Sequence, residues 1–228
     1  MLSNNEQDAL FQNAKNYWHE KAKEHGAINC PSTQFEDVKI NEITKADLLR
    51  GFPEERLSEA IVLDFGCGEG RMIPYIAPLV KRYIGVDASP SCLDYAEKVA
   101  ESFPNVFLHE LKHPYSLWDD TFPTAQLTEI DLFFSWTVFQ HIPHKLMKCM
   151  IKSIAEGLRE GAFAHIQFDW PTFGKLRELK YRFDQMPDSS CDCRWWPDWM
   201  LWSILESSGF DISEIPTTQF QCWRMVKK

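Results

Sequence analysis

The chain has 228 residues, 44% of them hydrophobic and 25% charged, and a formal net charge of −9. This supports one sizeable core that needs neither disulfides nor structural metal. The negative balance repels a phosphate backbone and disfavours nucleic acid as a partner, leaving open only a local basic groove of Lys175, Arg177, Lys180 and Arg182.

In chain order, residues 1 to about 56 read as a helical N-terminal cap. Its start, Met1 to Asp8, is polar and acidic, unlike a secretory leader, and no apolar run in the chain approaches the roughly 18 residues of a membrane span. A soluble, cytoplasmic protein without membrane partners is expected. Leu10, Ala14, Tyr17, Trp18 and Lys21 follow helical spacing, and residues 45 to 50 form a short second helix that Gly51 and Pro53 end.

From residue 60, short apolar runs alternate with amphipathic stretches, the pattern of parallel strands joined by crossover helices. Strands are expected at 60 to 64, 82 to 86, 106 to 109, 130 to 135 and 162 to 168. Helices are expected over 91 to 103, behind Pro90, and over 145 to 159, where Leu146, Met150, Ile154 and Leu158 recur every four residues. After a Trp-rich helix through 199 to 207, Phe210 to Ile215 and Phe220 to Val226 form a hairpin across Pro216-Thr217-Thr218. A hairpin cannot continue the parallel scheme, so the sheet gains an antiparallel strand at its edge. The expected fold is α/β: a Rossmann-like, doubly wound, seven-stranded sheet in a single domain. Residues 57 to 170 make its core, 171 to 200 a substrate-side insertion and 201 to 228 the closing helix end and hairpin.

Asp64-Phe65-Gly66-Cys67-Gly68-Glu69-Gly70 stands at the C-terminal end of the first strand and opens a helix, where open α/β sheets bind ligands. Glycines there permit a tight turn and a close approach of ligand to backbone. The second strand ends in Asp87-Ala88-Ser89, with a carboxylate 23 residues after Asp64 that can accept both hydroxyls of a ribose. The glycines do not follow the dinucleotide spacing, and Asp64 and Glu69 repel a pyrophosphate while attracting an ammonium group.

Val62 to Gly70, Gly85 to Ser89 and Asp131 to Ser135, taken in order, resemble the successive motifs of class I S-adenosylmethionine-dependent methyltransferases. The resemblance covers roughly residues 58 to 168. It implies S-adenosyl-L-methionine as cofactor and S-adenosyl-L-homocysteine as product. Asp64, Gly66, Cys67, Gly68 and Gly70 would then hold the amino-acid part, Asp87 the ribose, and Ala88 and Ser89 would line the adenine. For the adenine amino group either Glu110 or the Leu111 backbone serves, since the segment His113 to Asp120 departs from the family pattern. Ser135-Trp136-Thr137-Val138-Phe139-Gln140-His141 resembles the loop that borders cofactor and substrate in many small-molecule methyltransferases. Ser135 and Trp136 would face the cofactor and Gln140 the substrate.

Methyl transfer to a hydroxyl or a protonated amine needs a base, and His141 has the right chemistry. Its alternative role is to cap the Pro143 turn or shape the pocket wall. Asp169 touches substrate or caps a turn, Tyr17 and Trp18 close over the cofactor as a lid or simply pack, and Trp196 faces the acceptor. Cys191 and Cys193 lack a second ligand pair at zinc-finger spacing, and the odd count of seven scattered cysteines fits reduced thiols. The sequence therefore reads as a methyltransferase acting on an O or N atom of a small molecule, as monomer or homodimer and without metal. A protein or RNA acceptor, or a non-catalytic binding module, stands as the alternative.

Overall fold

The computed structural model describes residues 3–25, 38–114, 129–168, 198–214 and 221–228. Seven strands form one sheet: β1 (Ile61–Phe65), β2 (Arg82–Asp87), β3 (Val106–Glu110), β4 (Leu132–Ser135), β5 (Phe163–Phe168), β6 (Phe210–Glu214) and β7 (Gln221–Lys227), in the order β3-β2-β1-β4-β5-β7-β6. The first five run parallel, as their apolar runs predict. The antiparallel strand is β7, paired on one side with β5 and on the other with β6. It therefore lies one strand inside the sheet, and β6 takes the edge position that the sequence reading gave to the antiparallel strand. The expected turn, 216 to 218, lies outside the described residues.

The order reverses between β1 and β4, so the crevice of this doubly wound sheet opens at the C-terminal ends of β1, β2 and β4. One face buries Leu63, Phe65, Phe133, Ile166 and Trp223 beneath the helices α5 (His144–Gly157) and α6 (Asp198–Ser207). The other buries Val62, Tyr83, Leu132 and Phe134 against the helices α2 (Val38–Leu49), α3 (Ile73–Ile76) and α4 (Pro90–Ala100). Ser89 caps α4 by accepting a hydrogen bond from the Cys92 N–H, with Pro90 just inside the helix.

Three expectations shift. The N-terminal helix α1 (Asn4–His25) begins in a capping box of Ser3 and Glu6, and its buried anchor is Phe11, while Tyr17 is exposed. Helix α2 starts seven residues before Lys45, because much of its buried face is polar (Asn41, Thr44 and Asp47) and shows no apolar period. It is fixed at its end instead. Arg224 donates to the Asp47 carbonyl at 2.8 Å and the His165 ring N–H donates to the Leu48 carbonyl at 2.5 Å, from register partners on β7 and β5. Both cap last-turn carbonyls that the helix itself leaves unpaired. Finally, the helix after the Gly-rich turn is a four-residue α3 followed by the 3₁₀ turn Ala77–Leu79, since Pro74 and Pro78 enter one after the other.

Candidate cofactor and active site

The Gly-rich turn is built by its backbone. Gly66, Gly68 and Gly70 adopt φ of +76°, +54° and +79°, the left-handed region that side chains resist. At Gly66 a Cβ would stand 2.2 Å from Val138 Cγ2, and at Gly70 it would stand 2.6 Å from Ile73 Cδ1, so both are closely walled. Gly68 differs: nothing lies within 4 Å of where its Cβ would be. Its glycine serves the backbone conformation and leaves open space against the turn.

Asp87, at the end of β2, ties this turn to the next. One carboxylate oxygen accepts from the Gly68 N–H at 2.9 Å and the other from the Ser89 N–H at 2.8 Å. Each oxygen keeps a second lone pair, the arrangement that receives two vicinal hydroxyls. Burial pushes the Asp87 carboxyl above its ordinary value, against the amides of Ser89, Gly68 and Ala88, which pull it down.

Asp64 sits beneath the turn. It is buried, takes a hydrogen bond from the Tyr83 hydroxyl, and is pushed up to about 7, mainly by burial, while Tyr83 and the Arg71 charge pull it down and Asp87 adds to the rise. Cys67 lies beside it with its thiol held well above the usual range by burial, and a Cβ on Gly85 would meet its Sγ at 3.0 Å. Glu69 is buried too, its Oε2 without a hydrogen-bond partner among the described residues, and burial pushes it to about 7 with Asp87 adding to the rise.

The post-β4 loop closes the other wall. Ser135, fully buried, donates to the Phe65 carbonyl at 2.8 Å and so locks the ends of β1 and β4 together. Trp136 packs into the core. Thr137 holds φ of +61°, the one positive-φ residue other than glycine among the described residues, with its N–H donated to the Gln167 carboxamide oxygen at 2.6 Å. A β-branched residue there is strained, as residues beside functional sites often are. This conformation presents Val138 to Gly66 and leads into the 3₁₀ turn Phe139–His141. Gln140 Nε2 and His141 Nε2 lie 3.3 Å apart.

Helix α1 spans this rim. Lys15 pairs with Glu110 at 2.5 Å, His19 Nδ1 meets Ser91 Oγ at 3.0 Å, Asp8 meets His113 Nδ1 at 3.3 Å, and the Trp18 ring stands edge-on to His141 with centroids 4.9 Å apart. The structure thus brings Trp18 to His141 while Tyr17 stays exposed beside it. Of the adenine candidates, Leu111 already donates its N–H to the Asp87 carbonyl at 2.8 Å, and Glu110 has one oxygen on Lys15. The Ser89 side chain is buried in its capping role, with Ala88 between it and Asp87. Sequence reasoning missed Tyr83, Gln167 and Lys15, whose partners lie 19 to 95 residues away. Asp169, Trp196, the Cys191/Cys193 pair and most of the 171 to 200 insertion lie outside the described residues.

A crevice with open room at Gly68, carboxylates at Asp87 and Glu69 and an orphaned acid oxygen suits a ligand rich in hydroxyl and ammonium donors and opposes a pyrophosphate. Residues 62–161 match a family model described as "Methyltransferase domain". No curated protein matches the chain in sequence. Among solved structures, the magnesium protoporphyrin IX methyltransferase from Synechocystis PCC 6803 with bound S-adenosylhomocysteine is 19% identical, with a TM-score of 0.66 over 94% of this chain and 98% of that one. The N-methyltransferase NodS from Bradyrhizobium japonicum WM9, also with S-adenosylhomocysteine, is 16% identical, with a TM-score of 0.62 over 92% and 98%. A complex of DhpI with the same compound is 15% identical, with a TM-score of 0.63 over 96% of each chain. No helix among the described residues is long and apolar enough to cross a membrane.

Proposed function

We propose that this chain, built around a methyltransferase domain in the fold of class I S-adenosylmethionine-dependent methyltransferases, methylates an O or N atom of a small-molecule acceptor and releases S-adenosylhomocysteine. The observation that carries the reading is Asp87, which clamps the Gly68 and Ser89 amides beside the open side of Gly68 and keeps lone pairs for a ribose. The Gly66–Gly70 turn would hold the amino-acid part, with Asp64 bracing it from below. Glu110, oriented by Lys15, would face the adenine through its other oxygen.

The cofactor, when bound, supplies an electrophilic methyl group on a positively charged sulfur. What remains for the chain is alignment and exclusion of water, and alignment can supply up to roughly 7–11 kcal/mol of barrier reduction. Helix α1 and the post-β4 loop form the wall for this, with Trp18 against His141. His141 is the candidate base: its ring sits at the rim beside Gln140 and can take the acceptor's proton at neutral pH. A small acceptor is favoured over nucleic acid by the net charge of −9 and over a long peptide by a helix that crosses the crevice mouth.

Titration calorimetry with S-adenosylmethionine and S-adenosylhomocysteine tests the cofactor, and a metabolite screen read by S-adenosylhomocysteine release tests the acceptor. Binding of the cofactor with turnover of a small hydroxyl or amine is expected. Cofactor binding without turnover on any acceptor class would favour the non-catalytic module.

A further inference from the structure

Thr137 holds a conformation that its own chemistry disfavours. It is β-branched and stands at φ of +61°, whereas every other positive-φ position among the described residues is a glycine. Such a conformation persists only where the surroundings over-determine it. Both flanks of Thr137 are fixed. On the β4 side, Ser135 donates to the Phe65 carbonyl at 2.8 Å and Trp136 is buried. On the far side the buried Phe139 packs on Phe65 and Phe168, with ring centroids 5.7 and 5.6 Å away. Between these anchors the Thr137 hydroxyl turns back to the Trp136 carbonyl at 2.6 Å, and its N–H donates across to the Gln167 carboxamide oxygen, also at 2.6 Å.

Gln167 stands in β5 between the buried Ile166 and Phe168, is itself 6% exposed, and has the buried Cys222 of β7 as its register partner. A carboxamide in such a place costs desolvation that an apolar side chain of the same size would not, so its hydrogen bond has to return something. That bond goes to the strained residue of the loop. Successive side chains of a strand point to opposite faces, so β5 grips the loop from both: Phe168 holds Phe139 and Gln167 holds Thr137. The gripped segment carries two functional ends. Val138 lies so close to Gly66 that a Cβ there would stand 2.2 Å from its Cγ2. His141 donates its N–H to the Val138 carbonyl at 2.9 Å and sets its ring against Trp18.

We propose that Gln167 is a positioning residue, which holds Thr137 left-handed so that the post-β4 loop keeps Val138 on the cofactor turn and His141 against Trp18. The part of those two ends in methyl transfer rests on the S-adenosylmethionine reading above, whereas the hold of Gln167 on the loop does not. Gln167 acts here through the backbone of Thr137. Without its acceptor oxygen, Thr137 relaxes toward negative φ, Val138 swings off Gly66 and the turn Phe139–His141 is re-aimed.

The test uses the full-length protein and the substitutions Gln167→Met, which keeps the size but removes the strong acceptor, and Thr137→Gly, which accepts positive φ without strain, singly and combined. Calorimetry with S-adenosylhomocysteine reads the turn. The His141 ring signals of the cofactor-free, histidine-labelled protein, assigned by their loss in His141→Gln, read the other end. Gln167→Met should weaken S-adenosylhomocysteine binding about fivefold or more, the worth of one hydrogen bond, and displace the His141 signals. Adding Thr137→Gly should bring the affinity back to within about twofold of the wild type and return the signals, because glycine needs no partner to stay left-handed. Should Gln167→Met fail to fold, the double variant decides: relief at position 137 should restore a cooperative melt, and a double variant that stays unfolded overturns the assignment. If Gln167 only fills space, Thr137→Gly acts alike with and without Gln167→Met, and such additivity overturns the assignment as well. So do an affinity and His141 signals that Gln167→Met leaves in place. A wild type that binds neither S-adenosylmethionine nor S-adenosylhomocysteine overturns the cofactor reading instead, and the His141 signals still test the hold of Gln167 on the loop.

Discussion

The Gly-rich turn and helix α1 border the same crevice, one as a wall and one along the rim, and are held by different physical means. The turn is held by main chain: three glycines at positive φ and two amides on one carboxylate. Helix α1 is held by the ends of long side chains, Lys15 on Glu110, His19 on Ser91 and Trp18 on His141. Backbone recognition is rigid and written in a short motif, whereas side-chain recognition is adjustable and leaves no local pattern. We propose that the turn serves the shared cofactor and that Trp18 and His141, at the other end of α1's contacts, border the particular acceptor.

The largest break in that contrast comes from Gly66→Ala. Its Cβ would collide with Val138 at a backbone angle only glycine favours, a combined cost of about 2–5 kcal/mol. Cofactor binding by calorimetry should be lost and the melting temperature lowered; a variant that binds normally would mean the turn is not the cofactor wall. His141→Ala probes the other wall. Turnover should fall about a hundredfold or more while cofactor affinity stays within about twofold, as removal of a base but not of a binding group requires. Unchanged turnover would reduce His141 to pocket shape.

Asp87→Asn keeps the shape, turns one acceptor oxygen into an amide donor and removes the charge. Cofactor affinity should drop roughly 10–100-fold, the effect of charged hydrogen bonds at about 1.5–3 kcal/mol each. The pH dependence of stability sharpens the same wall. Asp64 and Glu69 are raised from 3.8 and 4.5 to about 7 in the folded chain, so the fold favours their protonated forms. That advantage is complete in acid and is lost as pH rises through about 7. The cofactor-free protein should therefore melt lower at about pH 8 than at about pH 5.5, and Asp64→Asn should flatten the difference by roughly 2–4 °C per kcal/mol removed. The smallest effect belongs to α1: Trp18→Ala should weaken cofactor binding by no more than about tenfold, since an aromatic edge contact contributes only about 0.5–1.5 kcal/mol. In the wild type, cleavage near residue 20 should slow on adding cofactor if α1 closes the crevice.

The strands and the turn were legible because their signals are local: five apolar runs and glycines at two-residue spacing. Helix α2 was half legible, since its buried Asn41, Thr44 and Asp47 answer to Arg71, Ile40 and Arg224, and only a folded chain supplies the first and last of these. The site shows the same division. Asp87 was readable from its place after β2, but the burial of Asp64 under Tyr83 depends on strand register, Asp64 pairing with Gly85 while Tyr83 pairs with Val62 on the same face. Lys15 on Glu110 spans 95 residues and no local pattern announces it.

A crystal structure with S-adenosylhomocysteine bound tests the central claim most directly. The ribose hydroxyls should lie on the Asp87 carboxylate and the amino-acid part against the Gly66–Gly70 turn. A crevice that stays empty at saturating ligand, or that takes a pyrophosphate nucleotide across Gly68 in its place, would contradict it.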